Sequence, residues 1–166
     1  MRSRASRVSS STTESDMQAE IGIVAVTDDA GRLLEPDLLR AAEAVHRQLR
    51  AALPEDYVAR LSEIFAAGGR LVVAQRHGAV VAVALWRVVE NTYEGRRLYV
   101  DDLVCDESCR SAGVGGRLLA WLESRARDLG CGVLALDSGV QRARAHAFYF
   151  REGMSIPSFS FRKVLK

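Results

Sequence analysis

Within residues 103–119 the chain reads LVCDESCRSAGVGGRLL, a strand, a glycine-rich turn and the start of a helix in direct succession. Leu103, Val104 and Cys105 form the apolar piece before the turn, and Leu118 and Leu119 the one after it. Between them stand Arg110, Gly113, Gly115 and Gly116. Glycines let the backbone approach a ligand closely and take positive φ. A helix that begins there offers unpaired N–H groups and the positive end of its dipole, which suits phosphate. Arg110 adds a cation that can fork onto phosphate oxygens. A Walker loop needs Lys and Ser or Thr after its last glycine, whereas Gly116 is followed by Arg117 and Leu118. A dinucleotide fingerprint starting at Gly113 would need glycine at position 118, where leucine stands. The pattern that fits is Arg-x-x-Gly-x-Gly between a strand and a helix.

The rest of the chain supplies a frame for that loop. At 166 residues, 48% of them hydrophobic, the default is one domain with an adequate core. Lys and Arg number 23 against 21 Asp and Glu, so the net charge of +2 calls for neither nucleic acid nor an anionic membrane as partner. No apolar run approaches a membrane span. Three cysteines, an odd count without framework spacing, point to a reducing compartment such as the cytoplasm. Cys105 and Cys109 lack matching Cys or His partners, so they read as thiols and no metal is expected. Residues 1–18 are rich in Ser, Thr and Arg and too polar to bury themselves. They share composition with a transit peptide but lack its amphipathic face. The expectation is a disordered tail, or a start at Met17.

Periodicity then divides residues 19–166. Strands are expected at 20–26, 70–75, 79–90, 96–105, 131–136 and 159–165. A helix carries Leu38, Ala41, Ala42, Val45, Leu49 and Ala52 on one face, and Pro54 breaks it. A second carries Tyr57, Leu61, Ile64 and Phe65 and ends at Gly68 and Gly69. A third spans about 115–129 and a fourth 142–151, stopped by Gly130 and Gly153. The order β-α-α-β-β-β-α-β-α-β predicts an α/β (α+β) fold, a mixed central sheet with helices on both faces.

The longer stretch at 98–119, LYVDDLVCDESCRSAGVGGRLL, resembles motif A of the GNAT superfamily of acetyl-CoA-dependent N-acetyltransferases, with Val104 six residues before Arg110. Residues 134–154, LALDSGVQRARAHAFYFREGM, resemble that family's motif B, with Tyr149 four residues before Gly153. The resemblance implies parallel strands 4 and 5 that splay to admit the pantetheine arm. A backbone N–H near Leu103 or Val104, ahead of Cys105, would then bond the thioester oxygen. The amides of Ser111, Ala112, Gly113, Val114, Gly115 and Gly116, together with Arg110, would hold the pyrophosphate. Tyr149 would protonate the leaving thiolate, for which a phenol is a suitable donor. Two positions depart from the family: Arg142 stands where asparagine is frequent, and Met154 where phenylalanine is usual. Arg142 is a candidate for reaching a CoA phosphate. A covalent role for Cys105 is disfavoured, since direct transfer is the family norm and no His lies nearby in sequence.

An attacking amine must be neutral, while a lysine-like amine has a pKa of about 10.4. Asp101 and Asp102 supply carboxylates just upstream of the loop, and the pair resembles that of polyamine acetyltransferases. Consecutive strand residues face opposite ways, so only one of the two is expected at the substrate groove. Glu90 is a third candidate. His146 reads as structural, and His46 and His77 belong to no visible constellation. The resemblance therefore implies acetyl transfer to a primary amine, which could be a polyamine, an amino acid, an aminoglycoside or a protein lysine, and the acidic pair slightly favours a small cationic amine. It also allows a homodimer through the C-terminal strands. Rival readings are a non-catalytic module that binds acyl-CoA and an enzyme for longer acyl chains.

Overall fold

The computed structural model describes residues 21–109 and 112–165. Its elements are β1 (Gly22–Ala25), α1 (Pro36–Leu49), α2 (Tyr57–Ala66), β2 (Arg70–Arg76), β3 (Ala79–Asn91), β4 (Gly95–Cys105), α3 (Val114–Asp128), β5 (Val133–Leu136) and α4 (Ala143–Arg151). A 3-10 turn, Glu107–Cys109, follows β4. The expected disordered tail over residues 1–18 lies outside the described residues. Among them, no helix is long and apolar enough to cross a membrane.

Local chemistry sets the boundaries. Pro36 occupies the first turn of α1, where a missing N–H costs nothing. Asp56 caps α2 by accepting from the Ala59 amide at 2.9 Å. His77 and Gly78, both at positive φ, close the β2–β3 hairpin, a turn whose twist matches that of its strands.

The five strands lie in the order β1-β2-β3-β4-β5. The first three neighbour pairs are antiparallel, and β4 with β5 is parallel. Helices cover both faces. On one, Leu39, Ala42 and Val45 of α1 and Leu61 and Phe65 of α2 pack against Val73, Val83 and Leu85. On the other, Leu118, Leu119 and Leu122 of α3 pack against Ala82, Ala84, Trp86 and Leu98. β3 is thus covered on both faces, as its continuous apolar run implied. The strand expected at 131–136 is shorter, Val133–Leu136, and half-buried throughout.

Residues 159–165 form no strand. Phe159 and Phe161 are 83% and 92% exposed. Their alternation fits a pleat, but periodicity records only what a strand would bury, and among the described residues no layer lies over them. β5 is therefore an edge strand.

Leu122 is fully buried at the centre of the α3 interface. Leu122→Ala is expected to lower unfolding free energy by about 2–5 kcal/mol, measured by urea denaturation.

Candidate active site

Two features of β4 create the site. The first is the end of its pairing with β5, whose last register pair is Val100 with Leu136. β4 continues to Cys105, still paired with β3 through Cys105 opposite Ala82. Backbone groups of its last residues therefore face a gap where β5 has ended. Leu103 and Cys105 turn toward the α3 side, and Val104 is buried in the core under α1 and α2.

α3 begins beside that gap. Gly113, its N-cap, sits at φ 76° in the left-handed region, where other residues are strained. The first-turn amides of Val114, Gly115 and Gly116 have no acceptor within the helix. A Cβ on Gly115 would stand 3.3 Å from Cys105 Sγ and 3.4 Å from the Phe148 ring. Its absence lets the start of α3, the end of β4 and the body of α4 converge. A Cβ on Gly116 would stand 3.5 Å from the Glu152 carboxylate. Ala112 packs at the edge of the same core, its amide donating to the Cys109 carbonyl at 3.3 Å. Arg110 and Ser111 lie outside the described residues.

Tyr149 is half-buried on α4. Burial pushes its phenol pKa up; the positive charge of Arg142 opposes this and Cys105 reinforces it. Arg142 is exposed at the start of the same helix. His146 Nε2 lies 3.0 Å from the Gly139 carbonyl, a structural contact as expected.

The second feature is a β-bulge. Leu85 pairs with Asp102 and Trp86 with Val100, so Asp101 has no register partner. A bulge interrupts the alternation of side chains. Asp101 and Asp102 consequently face the same side, the one covered by α1 and α2, and the expectation of opposite faces fails here. Arg87 places Nε and Nη2 each 2.7 Å from Asp101 Oδ2. Asp102, only 9% exposed, meets α1 twice. His46 Nε2 lies 2.9 Å from its Oδ2, and Arg50 Nε and Nη2 lie 2.6 and 2.5 Å from its Oδ1. Behind the imidazole, the Tyr57 hydroxyl lies 3.0 Å from His46 Nδ1. His46 and Tyr57 are each 1% exposed.

These contacts decide the charge state. Burial alone would raise the Asp102 pKa, but the hydrogen bonds from His46 and Arg50 and the Arg50 charge outweigh it and hold the carboxyl below its usual range. An ionised carboxylate only accepts, so His46 Nε2 is the donor, and Nδ1 shares a second hydrogen bond with the Tyr57 hydroxyl. Burial pushes the Tyr57 phenol well above its ordinary value, which keeps that proton in place. A carboxylate so stabilised is a weak base and a strong anchor for a cation. Sequence reasoning missed His46, although it shares the buried stripe of α1 with Leu39 and Ala42. A histidine on such a stripe signals a hidden polar partner, but not which one.

Asp102 also lines a cleft of about 820 Å³ with Leu49, Arg50, Leu53, Arg60 and Glu63. Arg60 Nη1 pairs with Glu63 Oε2 at 2.9 Å. Leu103 follows Asp102 directly in the chain, so cleft and β4–β5 gap are neighbours along one strand. Glu90 is not part of this group: it lies opposite Arg96, five residues along β3 from Leu85, and pairs with that arginine at 3.4 Å. No group of three or more metal-ligating side chains occurs among the described residues.

The family model described as "Acetyltransferase (GNAT) family" matches residues 37–154, from the start of α1 to just past α4. The chain belongs to the GNAT acetyltransferase family. It is 43% identical over 72 residues to "Uncharacterized N-acetyltransferase YhdJ" of Bacillus subtilis, covering 43% of this chain and 51% of that one. It is 32% identical over 94 residues to "Aminoalkylphosphonate N-acetyltransferase" of Salmonella typhimurium, covering 56% of this chain and 61% of that protein. The matched stretch thus spans only about half to three-fifths of these relatives. A solved structure of AAC(6')-Iy with the bisubstrate analog CoA-S-monomethyl-acetylneamine superposes with TM-score 0.75 at 16% identity, covering 89% of this chain and 99% of that one. At that identity the likeness is one of fold. Together with the family match it gives a GNAT fold, in which β4 and β5 are parallel and their pairing ends at Val100 and Leu136.

The folded state depresses the Asp102 pKa. Its stabilisation is therefore fully present above the unfolded carboxyl value of about 3.9 and is lost as pH falls through the folded value. The stability difference between the native protein and Asp102→Asn should be largest near neutrality and shrink below about pH 4. Urea midpoints measured across pH check this, and a gap that stays constant with pH would refute the assignment.

Proposed function

We propose that the chain transfers an acetyl group from acetyl-CoA to a primary amine. The observation that carries this is the convergence of the glycine-led start of α3, the end of β4 beyond its pairing with β5, and α4, which bears Tyr149, around Cys105. The residues present suit the cosubstrate. A strand-like pantetheine arm can take the place β5 leaves beside Leu103, Val104 and Cys105. The first-turn amides of Val114, Gly115 and Gly116 offer a phosphate cradle, and Arg110, Ser111 and Arg142 complete the binding set. Acetyl-CoA supplies an activated thioester.

The roles of the protein's own groups follow from their surroundings. Tyr149 keeps its proton at neutral pH because burial raises its pKa, and it donates that proton to the departing thiolate. A β4 amide at Leu103 or Val104 stabilises negative charge that develops on the thioester oxygen. Asp102 anchors the incoming amine in the cleft. Being held ionised, it takes up the amine proton poorly, and water carries that proton away. Asp101 is tied to Arg87 and supports the wall of the cleft. None of the three cysteines forms a disulfide, which supports a reducing compartment such as the cytoplasm. The open edge of β5 and the exposed Phe159 and Phe161 support a homodimer through the C-terminal segments.

Acetyl-CoA at a hundred times its dissociation constant should stabilise the protein by about 2.7 kcal/mol in thermal unfolding. No shift at millimolar acetyl-CoA would sink the proposal. Tyr149→Phe should keep that shift yet lower kcat by about a hundredfold in a thiol-release assay. Unchanged turnover would remove Tyr149 from the acid role.

A further inference from the structure

We infer that the acceptor carries an anionic group, a carboxylate or phosphonate, a few bonds from the amine that is acetylated. This rests on the acetyl-transfer reading above and names the class of its second substrate.

The argument starts from the two oxygens of Asp102. Oδ2 is committed to His46 in the interior at 2.9 Å. The imidazole is in turn held by Tyr57 at 3.0 Å, and both rings are 1% exposed. The carboxylate cannot rotate without breaking this buried pair. Oδ1 is the oxygen left for an outside partner, and Arg50 occupies it through Nε and Nη2 at 2.6 and 2.5 Å. An ammonium that docks on Asp102 therefore competes with Arg50 for one atom. Arg50 is the C-cap of α1, and its side chain is 51% exposed. It can swing from Oδ1 without disturbing the helix.

Charge balance fixes what must come with the ammonium. The charged side chains lining the cleft are Arg50 and Arg60, Glu63 and Asp102, two of each sign. Arg60 is already matched by Glu63 at 2.9 Å. A purely cationic acceptor would take the carboxylate from Arg50 and leave the guanidinium beside a second cation without a counter-ion, with only the Asp101 carbonyl at 3.3 Å to accept from it. An acceptor with its own anion exchanges partners instead: its ammonium takes Asp102 Oδ1 and its anion takes the fork of Arg50. Guanidinium recognises carboxylate and phosphonate alike, by two parallel N–H donors. Each charge then keeps a partner, and the cleft stays neutral as the substrate enters.

The test is a steady-state thiol-release assay with acetyl-CoA and acceptors of similar length: β-alanine, aminoethylphosphonate, ethanolamine and diaminopropane. The full chain is used, and acetyl-CoA binding is followed in parallel by thermal shift. The anionic acceptors should exceed both others in kcat/KM by about tenfold or more. The ratio between β-alanine and aminoethylphosphonate shows which anion the fork prefers. Arg50→Gln should cost the anionic acceptors about tenfold more in kcat/KM than it costs ethanolamine. Preference for diaminopropane, or a preference for anions that survives Arg50→Gln, overturns the inference. So does acetyl-CoA binding without turnover of any acceptor in the panel. The acetyl-transfer reading itself falls only if acetyl-CoA produces no thermal shift, so the two failures are distinguishable.

Discussion

β4 is paired unequally along its two edges. It shares ten register pairs with β3 but only four with β5. Backbone N–H and C=O groups in a sheet interior need partners, and beyond Val100 the β5 side supplies none. In a sheet built for stability alone, a longer β5 would close that seam. Here β5 stops at Leu136 and the chain turns away toward α4. Beside the seam, α3 approaches Cys105 and Phe148 closely at Gly115. The site is thus a deliberate interruption of sheet pairing, set at the junction of three elements.

The bulge at Asp101 is the second interruption, and it works on electrostatics. It turns two adjacent carboxylates to one face, a repulsive arrangement unless each has a counter-ion. Arg87 and Arg50 serve one each. The buried side of Asp102 is served differently, by His46. Its imidazole donates a hydrogen bond to the inner oxygen of the carboxylate. Asp102 keeps its negative charge in the interior, held by His46 from within and by the half-exposed Arg50 from outside. A buried lysine at position 46 would have cancelled the charge permanently. A bare apolar wall would have favoured protonation. The carboxylate is fixed inside and adjustable outside, which suits a group that must change partners.

Much of this was legible because it is local. The glycine loop, the start of α3 and Tyr149 each depend on residues within a few positions of one another. The alternating and helical patterns found the elements from β1 to α4, with ends displaced by a few residues. What escaped depends on long separations. His46 meets Tyr57 eleven residues away and Asp102 fifty-six residues away, and neither distance leaves a periodic mark. The bulge escaped because Val100, Asp101 and Asp102 include no glycine or proline to flag it. Strict alternation then put one aspartate on the wrong face. The C-terminal strand failed for the opposite reason. Phe159 and Phe161 carry the right pattern, but a pattern cannot say whether a neighbour exists to receive it.

The two halves of the site also differ in how firmly they are held. Asp102, His46 and Tyr57 belong to a core in which α1 and α2 bury several side chains completely. Tyr149 stands on α4, a helix with no fully buried residue, next to a strand that is half-buried throughout. Local stability follows buried apolar contact, so the surroundings of Asp102 are firmly built and those of Tyr149 more loosely fastened. A molecule lying between β4 and α4 would cover the exposed flank of both and add the contacts that α4 lacks. Part of its binding free energy would go into ordering Tyr149. On the proposed reading, this would tie the proton donor to cosubstrate binding, while the anchor for the amine would stand ready without it.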